Sequence, residues 1–182
     1  MVDDVASYAS WSSNLGCPGL SVDGIFFDET PDAYSNEAKS YLNDITKYVK
    51  ENNGIMRDRL VSSAYLQVSV PRKMLIIIKV IHNPGLAPDS RLADPGPDVT
   101  IVFEQSHEYF QKVNHQQSLS TWPYDRERIG YIVHAVPEEG IDKFVYELRA
   151  RAKYLFVTDL KVEYYHSLGK SWHRFVTSLG SD

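Results

Sequence analysis

The sequence predicts an α/β fold built on a parallel sheet, and three observations predict it. Five short apolar runs recur along the chain: Val22–Phe27, Val80–His82, Thr100–Phe103, Tyr131–Val133 and Tyr154–Val157. They are near-continuously apolar rather than alternating, which suits parallel strands covered on both faces. Amphipathic helical patterns lie between some of them, so the chain reads as repeated βα units in the order β-α-β-α-β-(loop)-β-α-β-α. A closed eight-stranded barrel needs more βα units than these.

The first run ends abruptly, with Gly24-Ile25-Phe26-Phe27 giving way to Asp28 and Glu29. Thr30-Pro31-Asp32 then reads as an N-cap with proline at the first helical position. Behind it Tyr34, Ala38, Tyr41, Leu42, Ile45, Tyr48 and Val49 share one helical face, and Asn52-Asn53-Gly54 stops the helix. Val61–Lys79 offers neither a helical face nor a clean strand, although Met74–Ile78 is strand-like. One reading makes Val61–Lys79 an insertion; a rival makes Leu75–His82 a single long strand. Asn83-Pro84-Gly85 reads as a turn, His107–Val113 as a short helix and Trp122-Pro123-Tyr124 as a loop. Ile141, Phe144, Val145, Leu148 and Ala152 form a second helical face, and Ser171–Leu179 a terminal helix.

A length of 182 residues with 43% hydrophobic and 12% aromatic content predicts a single folded domain, 1–182. The net charge of -5 and the lack of a basic cluster interleaved with aromatics argue against a nucleic-acid partner. Cys17 is the sole cysteine, which rules out an internal disulfide and a Cys-rich metal site. His82, His107, His115, His166 and His173 lack metal-ligand spacing, so neither metal nor cofactor is expected. The acidic start, Met1-Val2-Asp3-Asp4-Val5, is not a secretory signal, and Lys79 interrupts the longest apolar run. The chain as written is expected in the cytoplasm, without membrane insertion.

In a parallel βα fold the site gathers at the carboxyl ends of the strands. Asp28, Glu29, Asn83, Glu104, His134 and Asp159 are therefore expected around one mouth. On a regular strand, neighbours point to opposite faces, so only one of Asp28 and Glu29 is expected to face it. The bland reading has these acids capping helices or pairing with Arg and Lys. His134 contacts substrate or is a hydrogen-bonded structural residue, and Asp159 lines the mouth or caps the last helix. Trp122 and Tyr124 suit stacking on a sugar ring or anchoring a loop, whereas Tyr164, Tyr165 and Trp172 read as helix packing.

Several of these segments, in this order and spacing, resemble the spherulin-4-like proteins of slime moulds, fungi and bacteria. The matching segments are Gly24–Glu29, Asn83-Pro84-Gly85 with Ala87-Pro88-Asp89, and Val102-Phe103-Glu104. Tyr131–His134, Phe156–Asp159 and Tyr164-Tyr165 before Ser171-Trp172 match further. The resemblance implies a (β/α)8 TIM-barrel-like fold, here an incomplete barrel lacking the first βα units. It implies a secreted or cell-surface glycoside hydrolase acting on α-1,4 linkages of a galactosamine-containing cell-wall or exopolysaccharide. The family's essential acids fall on Asp28, Glu29 and Glu104, with Asp28 as nucleophile or cation stabiliser and Glu104 as acid/base. Asn83, His134, Trp122, Tyr124 and Asp159 become substrate-binding candidates. Excising Val61–Lys79 joins Arg59-Leu60 to Val80–Asn83 in a more family-like sequence, so the insertion reads as a translated intron behind a misplaced start. The alternatives are a non-catalytic glycan-binding protein of a cell wall or spore coat, and an inactive truncated homologue.

Overall fold

The computed structural model describes residues 2–17, 20–52, 55, 79–112 and 126–180. Its sheet contains β1 (Gly24–Phe27), β2 (Lys79–His82), β3 (Val99–Ser106), β4 (Ile129–His134) and β5 (Tyr154–Val157). All four pairings are parallel and the order is β1-β2-β3-β4-β5, so each strand lies beside its successor in sequence. The expected parallel sheet is present, and its five carboxyl ends lie along one edge.

The helices are α1 (Val2–Ser10), α2 (Asn36–Glu51), α3 (His107–Phe110), α4 (Ile141–Arg149) and α5 (Trp172–Gly180). Three expectations change. The cap of α2 is Ser35, whose hydroxyl accepts from the Ala38 amide at 3.0 Å, and not Thr30. Ser35 has the extended backbone and free hydroxyl that an N-cap requires. The β2–β3 link carries no α-helix, only a 3-10 turn at Ser90–Leu92. Pro84, Pro88, Pro95 and Pro97 crowd that stretch, each removing a donor and barring helix at its predecessor. Helix α1, with Val5 and Ala9 buried, was not anticipated. Of Val61–Lys79, residues 61–78 lie outside the described residues, as does most of the rival long strand; Lys79 opens β2.

Two clusters of buried side chains pack helices onto one face of the sheet. Ile25, Phe27 and Val80 meet α1 and α2 through Val5, Leu42 and Ile45. Tyr131, Val133 and Val157 meet α3, α4 and α5 through Phe110, Phe144, Leu148 and Phe175. The opposite face carries a smaller cluster, Val99, Ile101 and Ile132, bordered by Ile81, Tyr154 and Phe156. Phe26 on that face is 45% exposed. Where β1 starts, a Cβ on Gly24 would stand 2.3 Å from the Lys79 carbonyl oxygen, so the β1–β2 ladder requires glycine there.

One irregularity in β3 matters for the site. The pairing with β4 slips between Ile101, opposite Gly130, and Phe103, opposite Tyr131. Val102 is the extra residue of a bulge, and Val102 and Phe103 both pack toward the helices. Strand alternation therefore restarts, and Glu104 shares the face of its partner Ile132 rather than that of the helical core.

Candidate active site

Asp28, Glu29, Asn83, Pro84, Gly85, Glu104, Tyr164 and Tyr165 line one open cleft at the carboxyl ends of the strands. Asp28 and Glu29 follow β1 directly, and Glu29 has a left-handed backbone, φ 51°. That turn ends the strand alternation, so both acids line the cleft instead of only one. Left-handed geometry is uncommon outside glycine. Among the described residues it recurs in non-glycine residues only at Ala135, directly after His134, and at Glu163, directly before Tyr164. All three sites of backbone strain thus adjoin the cleft or its wall, the pattern expected where surrounding structure enforces function over local ease.

Asn83 is the hub and is 1% exposed. Its amide donates to the Phe27 carbonyl at 2.8 Å, and its own carbonyl accepts from Thr30 at 3.1 Å, tying the ends of β1 and β2 together. The side-chain Oδ1 accepts from the Gly85 amide at 3.1 Å, which fixes the orientation of the carboxamide. Nδ2 then points the other way and donates both to Asp28 Oδ1, at 2.7 Å, and to Glu104 Oε2. The Glu29 amide adds a second donor to Asp28 Oδ1 at 3.0 Å.

On Glu104 the other oxygen, Oε1, accepts from the Tyr164 hydroxyl at 2.8 Å and from the Tyr165 hydroxyl at 2.5 Å. Among the described residues, none of the three carboxylates forms an ion pair; neutral donors hold Asp28 and Glu104, and Glu29 stands exposed at the cleft mouth. Burial, with the Glu104 charge adding to it, pushes the Tyr164 phenol up to about 12 and Tyr165 further still, so both stay protonated.

His134 ends β4 and stacks flat on Tyr164, ring centroids 4.6 Å apart at 7°. Burial lowers its pKa, partly opposed by the Glu104 charge, and its Nδ1 has no hydrogen-bond partner among the described residues. It stands behind the cleft wall rather than in the lining. Asp159 is also drawn away: its Oδ1 accepts from Ser171 Oγ at 2.7 Å and from the Ser171 amide at 3.1 Å, anchoring the start of α5. Gly169 leaves room for that anchor, since a Cβ there would stand 2.0 Å from Asp159 Oδ1. Trp122 and Tyr124 lie outside the described residues.

The structure therefore unites Asp28, Glu29, Asn83 and Glu104. It adds Tyr164 and Tyr165, which sequence reasoning had assigned to helix packing. They lie in the loop before α5 and direct their hydroxyls at Glu104; only Trp172 packs as expected, 5.6 Å from Phe175. A pair of adjacent tyrosines outside any apolar period was the available signal. Among the described residues, no group of three His, Cys, Asp or Glu side chains is placed to hold a metal ion. Two carboxyl groups linked by a common donor, in an open cleft with aromatic walls, make a constellation suited to proton transfer and charge stabilisation.

Comparison with known proteins bears on this geometry. The profile of spherulation-specific family 4, Spherulin4, matches residues 1–179. The crystal structure of Aspergillus clavatus Sph3 in complex with GalNAc superposes with a TM-score of 0.81 at 31% identity, covering 99% of this chain and 65% of that one. The chain thus spans about two-thirds of the length of that relative. No curated protein gives a significant match. A family profile that runs nearly from end to end, together with this structural likeness, establishes that the chain belongs to the Spherulin4 family.

Proposed function

We propose that this chain carries the acid cleft of a glycoside hydrolase acting on a galactosamine-containing polysaccharide, with N-acetylgalactosamine as the unit recognised. The observation that carries the reading is the Asn83 amide, which donates to Asp28 and Glu104 together. One amide nitrogen thus holds the two carboxyl groups side by side, as the paired acids that act on one glycosidic bond require. Asp28, with Oδ1 fixed by two donors, acts as nucleophile on the anomeric carbon. Glu104 protonates the departing oxygen and later activates water. Glu29, exposed at the cleft mouth, receives a polar group of the sugar. The bound GalNAc of Sph3 supports the choice of sugar.

The same reading takes the five strands as part of a (β/α)8 barrel. Among the described residues the sheet has open edges at β1 and β5, Phe26 stands half-exposed on its inner face, and the chain covers 65% of the longer relative. Incubating the purified chain with an N-acetylgalactosamine polymer and following reducing-end release tests the function. Release that disappears in Glu104→Gln, with an unchanged melting curve, is the expected result. Tight polymer binding with no release by the wild type would overturn the hydrolase and leave a glycan-binding protein.

A further inference from the structure

We propose that Tyr164 and Tyr165 are positioning residues for Glu104, a pair of phenols that holds one carboxyl oxygen through both halves of an acid/base cycle. The inference rests on the hydrolase reading above and names how its acid/base residue is governed.

Neighbouring residues rarely deliver two side-chain hydroxyls to one atom. Here both reach Glu104 Oε1, at 2.8 and 2.5 Å. The left-handed backbone of Glu163, φ 48°, lies immediately before them and turns the chain back toward the sheet. Each ring is then held by a different strand. Tyr164 lies flat against His134 at the end of β4, and Tyr165 stacks on Phe156 of β5 with centroids 6.1 Å apart at 16°. The two rings also touch each other, centroids 4.7 Å apart. A strained turn and two independent ring contacts fix two hydroxyls on one oxygen, an arrangement that simple packing does not require.

The chemistry explains the use of phenols. The Asn83 Nδ2 on the other oxygen can only donate, and its orientation is locked by Gly85. A hydroxyl can donate or accept. While Glu104 is charged, both phenols donate to Oε1; when Oε1 takes a proton, one hydroxyl rotates and accepts it while the heavy atoms stay in place. The groups facing Glu104 are Asp28 across Asn83, the two tyrosines and His134 behind Tyr164, with Glu29 at the cleft mouth. Burial favours the neutral form of His134, which places its titration on the acid side of the profile.

The test is the kinetics of Tyr164→Phe, Tyr165→Phe and the double variant on the polymer, across pH. Each lost hydroxyl is expected to lower kcat about tenfold, the scale of a hydrogen bond to a charged group, with KM nearly constant. Removal of two donors beside the acid/base residue is expected to displace the pH profile of kcat/KM, which loss of packing alone would not do. Melting curves stay close to wild type because both rings remain. A rise in KM alone would make the tyrosines sugar contacts; a loss of kcat with an unmoved pH profile would make them packing residues. Either overturns the proposal. Should the wild type release no reducing ends, the hydrolase reading fails by itself. The positioning role is then read from the Glu104 carboxyl carbon by 13C NMR, whose chemical shift is expected to change in the double variant as Oε1 loses its two donors; an unchanged shift refutes it.

Discussion

The two ends of the sheet treat charge in opposite ways. At the amino ends of the strands, acids and bases are matched. Lys50 pairs with Asp98 before β3, Arg126 and Lys153 both pair with Glu127 before β4, and Arg128 donates to the Pro97 carbonyl at 2.7 Å. Glu127 and Lys153 hold each other in their charged forms, lowering one pKa and raising the other. At the carboxyl ends, three acids share a cleft, and the described residues give Asp28 and Glu104 amide and phenol donors and none of the three a cation. Matched charges keep a fold in register at small net gain. Unmatched acids held by neutral donors keep their capacity to exchange protons and meet a developing positive charge. The backbone follows the same division, because the three left-handed non-glycine residues among those described adjoin the acid cleft or its wall.

The sharpest way to break this comparison is to neutralise one acid at each end. Glu104→Gln and Asp28→Asn are each expected to lower polysaccharide cleavage by about 10²–10⁴-fold while thermal melts barely move. Glu127→Gln, at the other end, is expected to leave cleavage at the wild-type rate. Equal losses at both ends would dissolve the distinction.

A smaller effect lies one layer beneath the cleft. His82, 4% exposed and 3.2 Å from Thr46 Oγ1, is lowered by burial from 6.5 to about 4. Its folded pKa lies below the unfolded one, so the unfolded chain binds the extra proton. Stability is complete above about pH 6.5 and falls as pH drops toward 4, by a total on the order of 3 kcal/mol. Urea midpoints across that window should slope for the wild type and flatten for His82→Gln. A slope that persists in the variant would move the effect to another group.

Backbone strain gives a gain rather than a loss. Ala135→Gly and Glu163→Gly relieve left-handed geometry and are expected to raise stability by about 0.5–1 kcal/mol. Glu163→Gly should also slow cleavage, since it loosens the turn that delivers the tyrosines. Least of all, Lys153→Met at the amino end is expected to change neither the melt nor cleavage at 0.15 M salt, because its pair with Glu127 is exposed to water.

Much of this was legible in the sequence, because burial writes itself into composition. Five parallel strands each bury at least one side, and their apolar runs marked them. The acids just past β1 and inside β3, at Glu104, stood out because they interrupt such runs. What failed to show depends on single backbone torsions. Alternation counted from Ile101 puts Glu104 on the helical side; the bulge at Val102 puts it on the cleft side. Alternation likewise separates Asp28 from Glu29, and a left-handed residue reunites them. Tyr164 and Tyr165 were missed because their value lies in where a turn aims two hydroxyls, which residue type does not encode. The absent β2–β3 helix was readable: four prolines in that link forbade it.

Asn83 has one more consequence, which concerns time. An asparagine ages when the amide nitrogen of the next residue attacks its side chain, closes a succinimide and opens to aspartate. At Asn83 that change would replace the shared donor between two acids by another acid, and the cleft would repel itself. The following residue is Pro84, whose nitrogen carries no hydrogen and cannot make the attack. The proline that turns the chain away from β2 thereby also guards the amide it follows, and the most consequential asparagine of the cleft is chemically long-lived.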